Sequence, residues 1–357
     1  MKIGLVYRDC LQEGGYPRDI RWLSSSLVAL GNNVTLFTNR GIKRDGIHPK
    51  VHFATVEDLG SLSTHFDLVH VFGIFIRPHW DALQKLHRMG IPTVLSFLSH
   101  LSPYAMRRHK IGKCVLLRFL TPNLYKVTFH TFSAYEESNL ASLFPNNKRF
   151  RASLGIFPVD STSDESSDSS ATDDIVFFGR NDVFQKGIDV LLDSFGVMQR
   201  GHSSACTGRL VIAGRAWRNS REIIEESVRR NALQDRVVIL GDVDEKTKWH
   251  ILRRSQYLVY TSRFDGPPRP IREAISVGTP LIVSPETNMS ELVTRYSAGI
   301  SVPLDPEVMG IKIHGVLKKT DHGKELREGV KKLREHLRWE RVAKEYISGY
   351  HHALSNA

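Results

Sequence analysis

The chain has 357 residues, 41% of them hydrophobic and 24% charged. That length exceeds one typical domain of ~100–200 residues and can supply two buried cores, so collagenous, coiled-coil and wholly disordered organisation are excluded. Lys and Arg number 49 against 38 Asp and Glu, and the formal net charge of +11 favours anionic partners such as nucleotide phosphates, nucleic acid or an acidic membrane surface.

Met1-Lys2-Ile3-Gly4-Leu5-Val6-Tyr7 runs directly into an apolar stretch, without the long apolar region and cleavage site of a signal peptide, and reads as a first buried strand. No stretch approaches the ~20 apolar residues of a membrane-spanning helix. Cys10, Cys114 and Cys206 lie far apart and match neither a disulfide framework nor a zinc spacing. A cytoplasmic location is expected, with peripheral association at the inner face of the membrane.

Further runs rich in Val, Ile and Phe follow in the first half at 34–38, 51–54, 68–72, 93–97, 127–131 and 149–153. In the second half they recur at 175–178, 210–213, 237–240, 257–260, 281–284 and 299–302. Short buried runs alternating with helix-length segments are the pattern of parallel sheets covered on both faces. The expected fold class is α/β, with two doubly wound, Rossmann-like domains.

Between the halves, Asp160 to Asp174 holds six acids, no bases and no large apolar side chain, so it is expected to be a solvated linker. The expected organisation is a first domain over 1–159, the linker over 160–174, a second domain over 175–338 and a terminal helix over 339–357. Apolar Val342, Tyr346, Ile347 and Tyr350 share one face of that helix, as in a terminal helix packed on its own domain. Residues 1–150 carry 19 Lys plus Arg and 10 Asp plus Glu, so the basic excess is concentrated in the first domain.

The densest basic stretch is Arg107-Arg108-His109-Lys110, followed by Ile111-Gly112-Lys113-Cys114-Val115-Leu116-Leu117-Arg118-Phe119-Leu120. It reads either as a membrane-surface helix, with Arg107, Arg108 and Lys110 facing anionic lipid, or as an ordinary helix with a core-facing apolar stripe. No helix-turn-helix, RNP or zinc signature accompanies the charge, so no nucleic-acid partner is expected.

The chemistry-bearing residues concentrate in the second half. Phe177-Phe178-Gly179-Arg180 ends a strand and Lys186-Gly187-Ile188-Asp189 opens a helix, which places two cations at the sheet edge where doubly wound domains bind ligands. A guanidinium and an ammonium together can neutralise a diphosphate. Later, Ser262-Arg263-Phe264-Asp265-Gly266-Pro267-Pro268-Arg269-Pro270-Ile271-Arg272-Glu273 follows a strand and enters a helix near Pro270. Proline is favourable in a first helical turn, and the free amides there attract phosphate. Asp265 on the loop and Glu273 on the first turn are acceptors able to grip hydroxyls at two ends of an elongated ligand. Asp242-Val243-Asp244 reads as helix-entry acids, so no metal is expected.

These motifs resemble the retaining glycosyltransferases of family 4, whose GT-B architecture sets two Rossmann-like domains across a cleft. The resemblance rests on Gly179-Arg180, Lys186-Gly187, and the acidic pair Asp265 and Glu273 followed by Ala274 and Gly278-Thr279-Pro280. It implies that Arg180 and Lys186 hold a nucleotide diphosphate, Glu273 the ribose hydroxyls and Asp265 the donor sugar. It also implies that Gly14-Gly15 is the glycine loop near the donor phosphates, and that Asp67 to Val71 and Thr131 to Glu136 are family strand ends. Asp265 is one methylene shorter than the usual glutamate. Pro267 and Pro268, which follow Gly266, lack two backbone N–H groups that could bond the sugar. Arg269 supplies charge in their place, or the donor pocket has another shape. Leu98 stands at the family's histidine position. His100, two residues later, takes over the catalytic role if the loop bends suitably, or it is an ordinary surface histidine.

The expected function is retaining sugar transfer from a nucleotide-diphosphate sugar to a hydroxyl of a glycan, lipid-linked or small-molecule acceptor, with neither metal nor cofactor. The resemblance further implies that the leaving phosphate helps deprotonate the acceptor, and that the terminal helix over 339–357 crosses back onto the first domain. The rival readings are a catalytically weakened GT-B sugar-nucleotide-binding or scaffold protein, and a GT-B epimerase or phosphorylase.

Overall fold

The computed structural model describes residues 1–8, 15–39, 47–62, 65–107, 110–157, 172–201, 208–318 and 322–355. The chain divides into two compact units, one formed by Met1–Gly155 with Leu337–Ala357 and the other by Ile156–His336. Residues 160–171 of the acidic segment lie outside the described residues. Asp174, at its end, is held by Arg209 at 3.0 Å.

The first unit runs β1 (Lys2–Val6), α1 (Gly15–Ala29), β2 (Asn33–Phe37), β3 (His52–Ala54), α2 (Leu59–Leu62), β4 (Leu68–Phe72) and α3 (Arg77–Arg88). It continues with β5 (Thr93–Ser96), α4 (Pro103–Arg107), α5 (Lys110–Leu120), β6 (Thr128–Thr131), α6 (Ala134–Leu143) and β7 (Arg149–Arg151). The second unit runs β8 (Ile175–Phe178), α7 (Val183–Lys186), α8 (Ile188–Gly201), β9 (Leu210–Ala213), α9 (Ser220–Arg230), β10 (Val237–Gly241), α10 (Glu245–Arg254) and β11 (Tyr257–Tyr260). It ends with α11 (Arg269–Val277), β12 (Leu281–Val283), α12 (Ser290–Arg295), β13 (Gly299–Ser301), α13 (Pro306–Leu317) and α14 (His322–His336), after which α15 (Trp339–Leu354) belongs to the first unit.

Among the described residues the strands form a seven-stranded sheet, β3-β2-β1-β4-β5-β6-β7, and a six-stranded sheet, β10-β9-β8-β11-β12-β13. The pairings are parallel, as for β1 with β4 and β8 with β11. Every residue of β4, β8 and β11 is buried, which is what sheets covered on both faces require. Strand order reverses between β1 and β4 and again between β8 and β11, and the carboxyl ends at such switch points are the ligand-binding edges of this fold class.

The runs read from sequence coincide with these strands to within one or two residues. The helices differ more. Among the described residues the basic stretch is helical over Pro103–Arg107 and Lys110–Leu120, and α11 starts at Arg269, one residue before the expected Pro270.

A buried polar chain fixes α15 to the first sheet. His130 Nε2 lies 2.9 Å from the Ala152 carbonyl and must donate to it, so His130 Nδ1 accepts from Ser96 Oγ at 2.7 Å. Ser96 Oγ then accepts from His70 Nε2 at 2.7 Å, and His70 Nδ1 accepts from the Tyr350 hydroxyl at 2.9 Å. Each group is satisfied with both imidazoles neutral. Burial lowers the pKa of His70 well below its usual value and that of His130 to about 4.

Candidate functional site

Two glycines shape the carboxyl edge of the second sheet. Gly187 has φ +65° and ends α7 in the left-handed region, where a Cβ would stand 2.1 Å from the Thr261 carbonyl oxygen. Gly214, at φ +136°, lets the turn after β9 pass against Gly179, where a Cβ would meet its carbonyl oxygen at 1.8 Å. Bringing the Lys186 turn against the end of β11 in this way juxtaposes residues distant in sequence.

Lys186 is buried and forms an ion pair with Asp265 Oδ2. Its Nζ sits 5.3 Å from the centre of the Tyr260 ring. Burial alone would lower the Lys186 pKa, but the Asp265 carboxylate and Tyr260 beside it hold the ammonium above its usual range. Asp265 Oδ2 accepts from the Tyr260 hydroxyl at 3.3 Å and from Ser262 Oγ at 3.4 Å. Asn288 Nδ2 donates to the Asp265 carbonyl at 2.5 Å, and Asp265 N donates to the Glu286 carbonyl at 3.2 Å. The Glu286 side chain has a buried Oε2 with no hydrogen-bond partner, and burial raises its pKa. Lys186 does not lie on a loop, as the sequence suggested. It closes a short helical turn started by Asp182, whose side chain accepts from Gln185 N at 3.1 Å.

Arg180 is on the loop after β8 and more exposed. Its Nη2 donates to Gln185 Oε1 at 2.9 Å, and its guanidinium lies over the Trp217 ring at 4.4 Å. Gly179 packs where a Cβ would be 3.5 Å from both the Phe177 and Tyr260 rings.

The second acid sits in another set of contacts. Helix α11 starts at Arg269 after Pro268 as cap, one residue ahead of the position read from sequence, so Glu273 falls in the second turn rather than the first. Only 3% of its side chain is exposed, and its Oε1 accepts from Lys248 Nζ and Arg269 Nε, both at 2.7 Å. Both of these bonds go to Oε1, and among the described residues Glu273 Oε2 accepts no hydrogen bond. Arg269 Nη2 also reaches Glu245 Oε1 at 3.1 Å. Gly266, Pro267 and Pro268 are buried beside this helix entry. Asp244 caps α10 through Thr247 N at 2.6 Å, and among the described residues no group of three His, Cys, Asp or Glu side chains is arranged to hold a metal ion.

The remaining sequence candidates are in the first unit. Gly15 opens α1, while Gly14 lies outside the described residues. His100 follows Leu98 and Ser99, which take left-handed φ values of 55° and 61°. The bend is held by Glu136, whose carboxylate accepts from Ser99 N at 2.7 Å and Phe132 N at 2.9 Å. His100 Nδ1 is buried without a hydrogen-bond partner, and burial together with the Lys113 cation lowers the pKa of the ring to about 4. Burial raises that of Glu136 to about 7, despite its hydrogen bonds. Arg107 is exposed over the Tyr104 ring, Lys110 opens α5, and Arg108 lies outside the described residues.

The sequence reading did not find Lys248, Tyr260, Ser262, Trp217 or Glu286. Each is a common residue in an unremarkable local pattern, and only the sheet order brings it to the site.

The two doubly wound parallel units define the fold of GT-B glycosyltransferases, with the polar clusters at the β8 and β11 edge of the second. Residues 172–319, which contain these clusters, match the family model for glycosyl transferases group 1. An uncharacterized glycosyltransferase of Methanocaldococcus jannaschii is 27% identical over 182 residues, a match that spans 50% of this chain and 45% of that protein. Sucrose-phosphate synthase from Thermosynechococcus elongatus superposes with a TM-score of 0.71 at 18% identity, over 100% of both chains. Anabaena HepE, in complex with UDP and glucose, gives 0.70 at 13% identity over 98% of each chain.

Proposed function

We propose that the chain is a retaining glycosyltransferase that moves a sugar from a nucleotide-diphosphate donor to an acceptor hydroxyl without a metal ion. The observation that carries this reading is the buried Lys186–Asp265 pair at the β8/β11 switch point. An arriving diphosphate takes the Lys186 ammonium as its counter-charge and releases Asp265 toward the hydroxyls of the sugar. Arg180 adds a guanidinium fork at the loop. Glu273 Oε2 accepts from the ribose, its charge held in place by Lys248 and Arg269. The unpartnered Glu286 oxygen accepts a further donor-sugar hydroxyl and offsets the amides lost at Pro267 and Pro268.

In the transfer step the bond between the anomeric carbon and the phosphate oxygen breaks, and its electron pair leaves with the diphosphate. Lys186 and Arg180 stabilise that charge as it develops. The acceptor oxygen forms the new bond, and its proton passes to the leaving phosphate. The UDP and glucose held by HepE support a sugar nucleotide as donor. A thermal-shift screen against UDP-, GDP- and ADP-sugars tests the reading, since a ligand of the folded state raises apparent stability. The expected result is stabilisation by one sugar nucleotide and release of its nucleotide diphosphate when an acceptor is present. Stabilisation without turnover would favour the binding or scaffold reading, and no response to any donor would remove both.

An anionic membrane surface is the second partner we propose. Ile111, Val115 and Phe119 recur every fourth residue on α5 and are 81%, 50% and 74% exposed, whereas Leu116 and Leu117 pack on the core. The helix therefore has an outward apolar stripe beside basic residues, the pattern of an interfacial helix. Among the described residues no helix is long and apolar enough to cross a membrane. Replacing Arg107, Arg108 and Lys110 by Gln is expected to weaken co-sedimentation with phosphatidylserine vesicles, and equal binding would remove this partner.

A further inference from the structure

A cavity of about 570 Å³ opens at the opposite edge of the first sheet, at the amino ends of β5 and β6. It is not at a strand carboxyl end, so the donor chemistry does not account for it. Ile91, Pro92 and Tyr125 give it accessible apolar surface over the buried Leu83, Leu86 and Val127, while Lys126 and Lys148 stand around its mouth. No acid lines it, and among the described residues neither lysine pairs with a carboxylate. The surrounding sequence is as one-sided, because residues 82–135 contain eight Lys or Arg and no Asp or Glu.

The mouth is built rather than incidental. Lys126 has φ +66°, a left-handed conformation that a non-glycine residue rarely holds unless its surroundings impose it. Here Asn147 imposes it: its Nδ2 donates to the carbonyls of Leu124 at 2.7 Å and Val127 at 2.9 Å, clamping the turn that presents Lys126. Phe129 N also donates to the Lys148 carbonyl at 2.8 Å, which fixes the second lysine at the edge of β6. The volume is in the range of small-molecule sites, where an apolar floor supplies burial and a few charged groups fix orientation.

We infer that this cavity binds an amphiphile with an apolar tail and an anionic head, the tail against Ile91, Pro92 and Tyr125 and the head between Lys126 and Lys148. The same chemistry is offered by a free alkyl carboxylate or phosphate and by an acyl chain of a membrane lipid. The proposal does not depend on sugar transfer.

Calorimetric titration of the full chain with decyl phosphate below its micellar concentration tests the inference. Saturable binding at one site is expected, with at least a tenfold loss in the doubly substituted K126E/K148E protein and a similar loss in N146W, which narrows the mouth from an exposed position. Decyl maltoside and inorganic phosphate, each lacking one half of the recognition, are expected not to compete. Co-sedimentation of the same proteins with phosphatidylserine vesicles identifies the source: a matching loss there assigns a membrane lipid, and unchanged vesicle binding assigns a free amphiphile. Absence of decyl phosphate binding, equal binding by K126E/K148E, or equal binding of decyl maltoside would overturn the inference. Circular dichroism and the thermal shift of each variant with the donor show that the fold is intact.

Discussion

Lys186 and Asp265 neutralise one another inside the second unit, so removing either leaves its partner exposed to a ligand of opposite preference. Lys186→Ala is expected to lower donor turnover by about 10²-fold or more, the effect of deleting one positioned donor to developing charge. Steady-state kinetics with the donor found by thermal shift would show it, and unchanged kcat would remove Lys186 from the diphosphate. Glu273→Gln keeps the shape of the side chain but removes the charge that Lys248 and Arg269 both approach. Loss of a charge-assisted bond to ribose, worth about 1.5–3 kcal/mol, is expected to raise KM for the donor by roughly 10- to 100-fold. For Glu286→Ala the expected change is a weaker discrimination between donor sugars, measured as the ratio of kcat/KM values, with little change in nucleotide affinity.

Elements place these side chains, and the glycine after α7 is where placement is most constrained. Gly187→Ala meets the Thr261 carbonyl and needs a left-handed backbone, so it is expected to destabilise by more than about 1 kcal/mol and to reduce donor binding by moving Lys186. Denaturant unfolding measures the first effect and calorimetry the second. The strands were legible because buried parallel strands are written as continuous apolar runs: Ile175 to Phe178 and Tyr257 to Tyr260 need no long-range information to be recognised. Helix boundaries were less so. Helix α11 starts at Arg269 rather than Pro270, which moves Glu273 from the first turn to the second. The Gly-Arg, Lys-Gly and acidic motifs pointed to the residues that the second sheet gathers at one edge. Lys248 and Tyr260 were unreadable because their importance comes from strand order and helix packing, not from local sequence. The polar chain from Tyr350 to His130 was invisible for the same reason, although His70 and His130 both sit in apolar strands.

At the scale of the whole chain, the first unit couples its stability to pH. His70, His100 and His130 are kept neutral by burial, with pKa values below 6.5 and near 4 for the latter two. Groups held below their unfolded pKa let the unfolded chain bind more protons, so their stabilising contribution is whole above about 6.5 and is lost as pH falls. Glu136, raised to about 7, acts in the other direction and lowers stability as pH rises from 4.5 to 7. Three histidines against one carboxyl leave a net loss on acidification, so thermal unfolding followed at pH 7.5 and pH 5 is expected to show a lower Tm at pH 5. The Glu136→Gln protein, with the opposing group removed, is expected to show a steeper fall between the same pH values; a flat or reversed profile would refute the assignment of neutral buried imidazoles.

The central claim is that the second unit recognises a diphosphate through the ammonium next to Asp265. Calorimetric titration of the parent and Lys186→Ala proteins with the nucleoside diphosphate of the active donor, and with its nucleoside alone, tests it most directly. The account predicts that the parent prefers the diphosphate by at least tenfold and that Lys186→Ala loses most of that preference. Equal binding of nucleoside and diphosphate by the parent, or an unchanged preference in the variant, would contradict it.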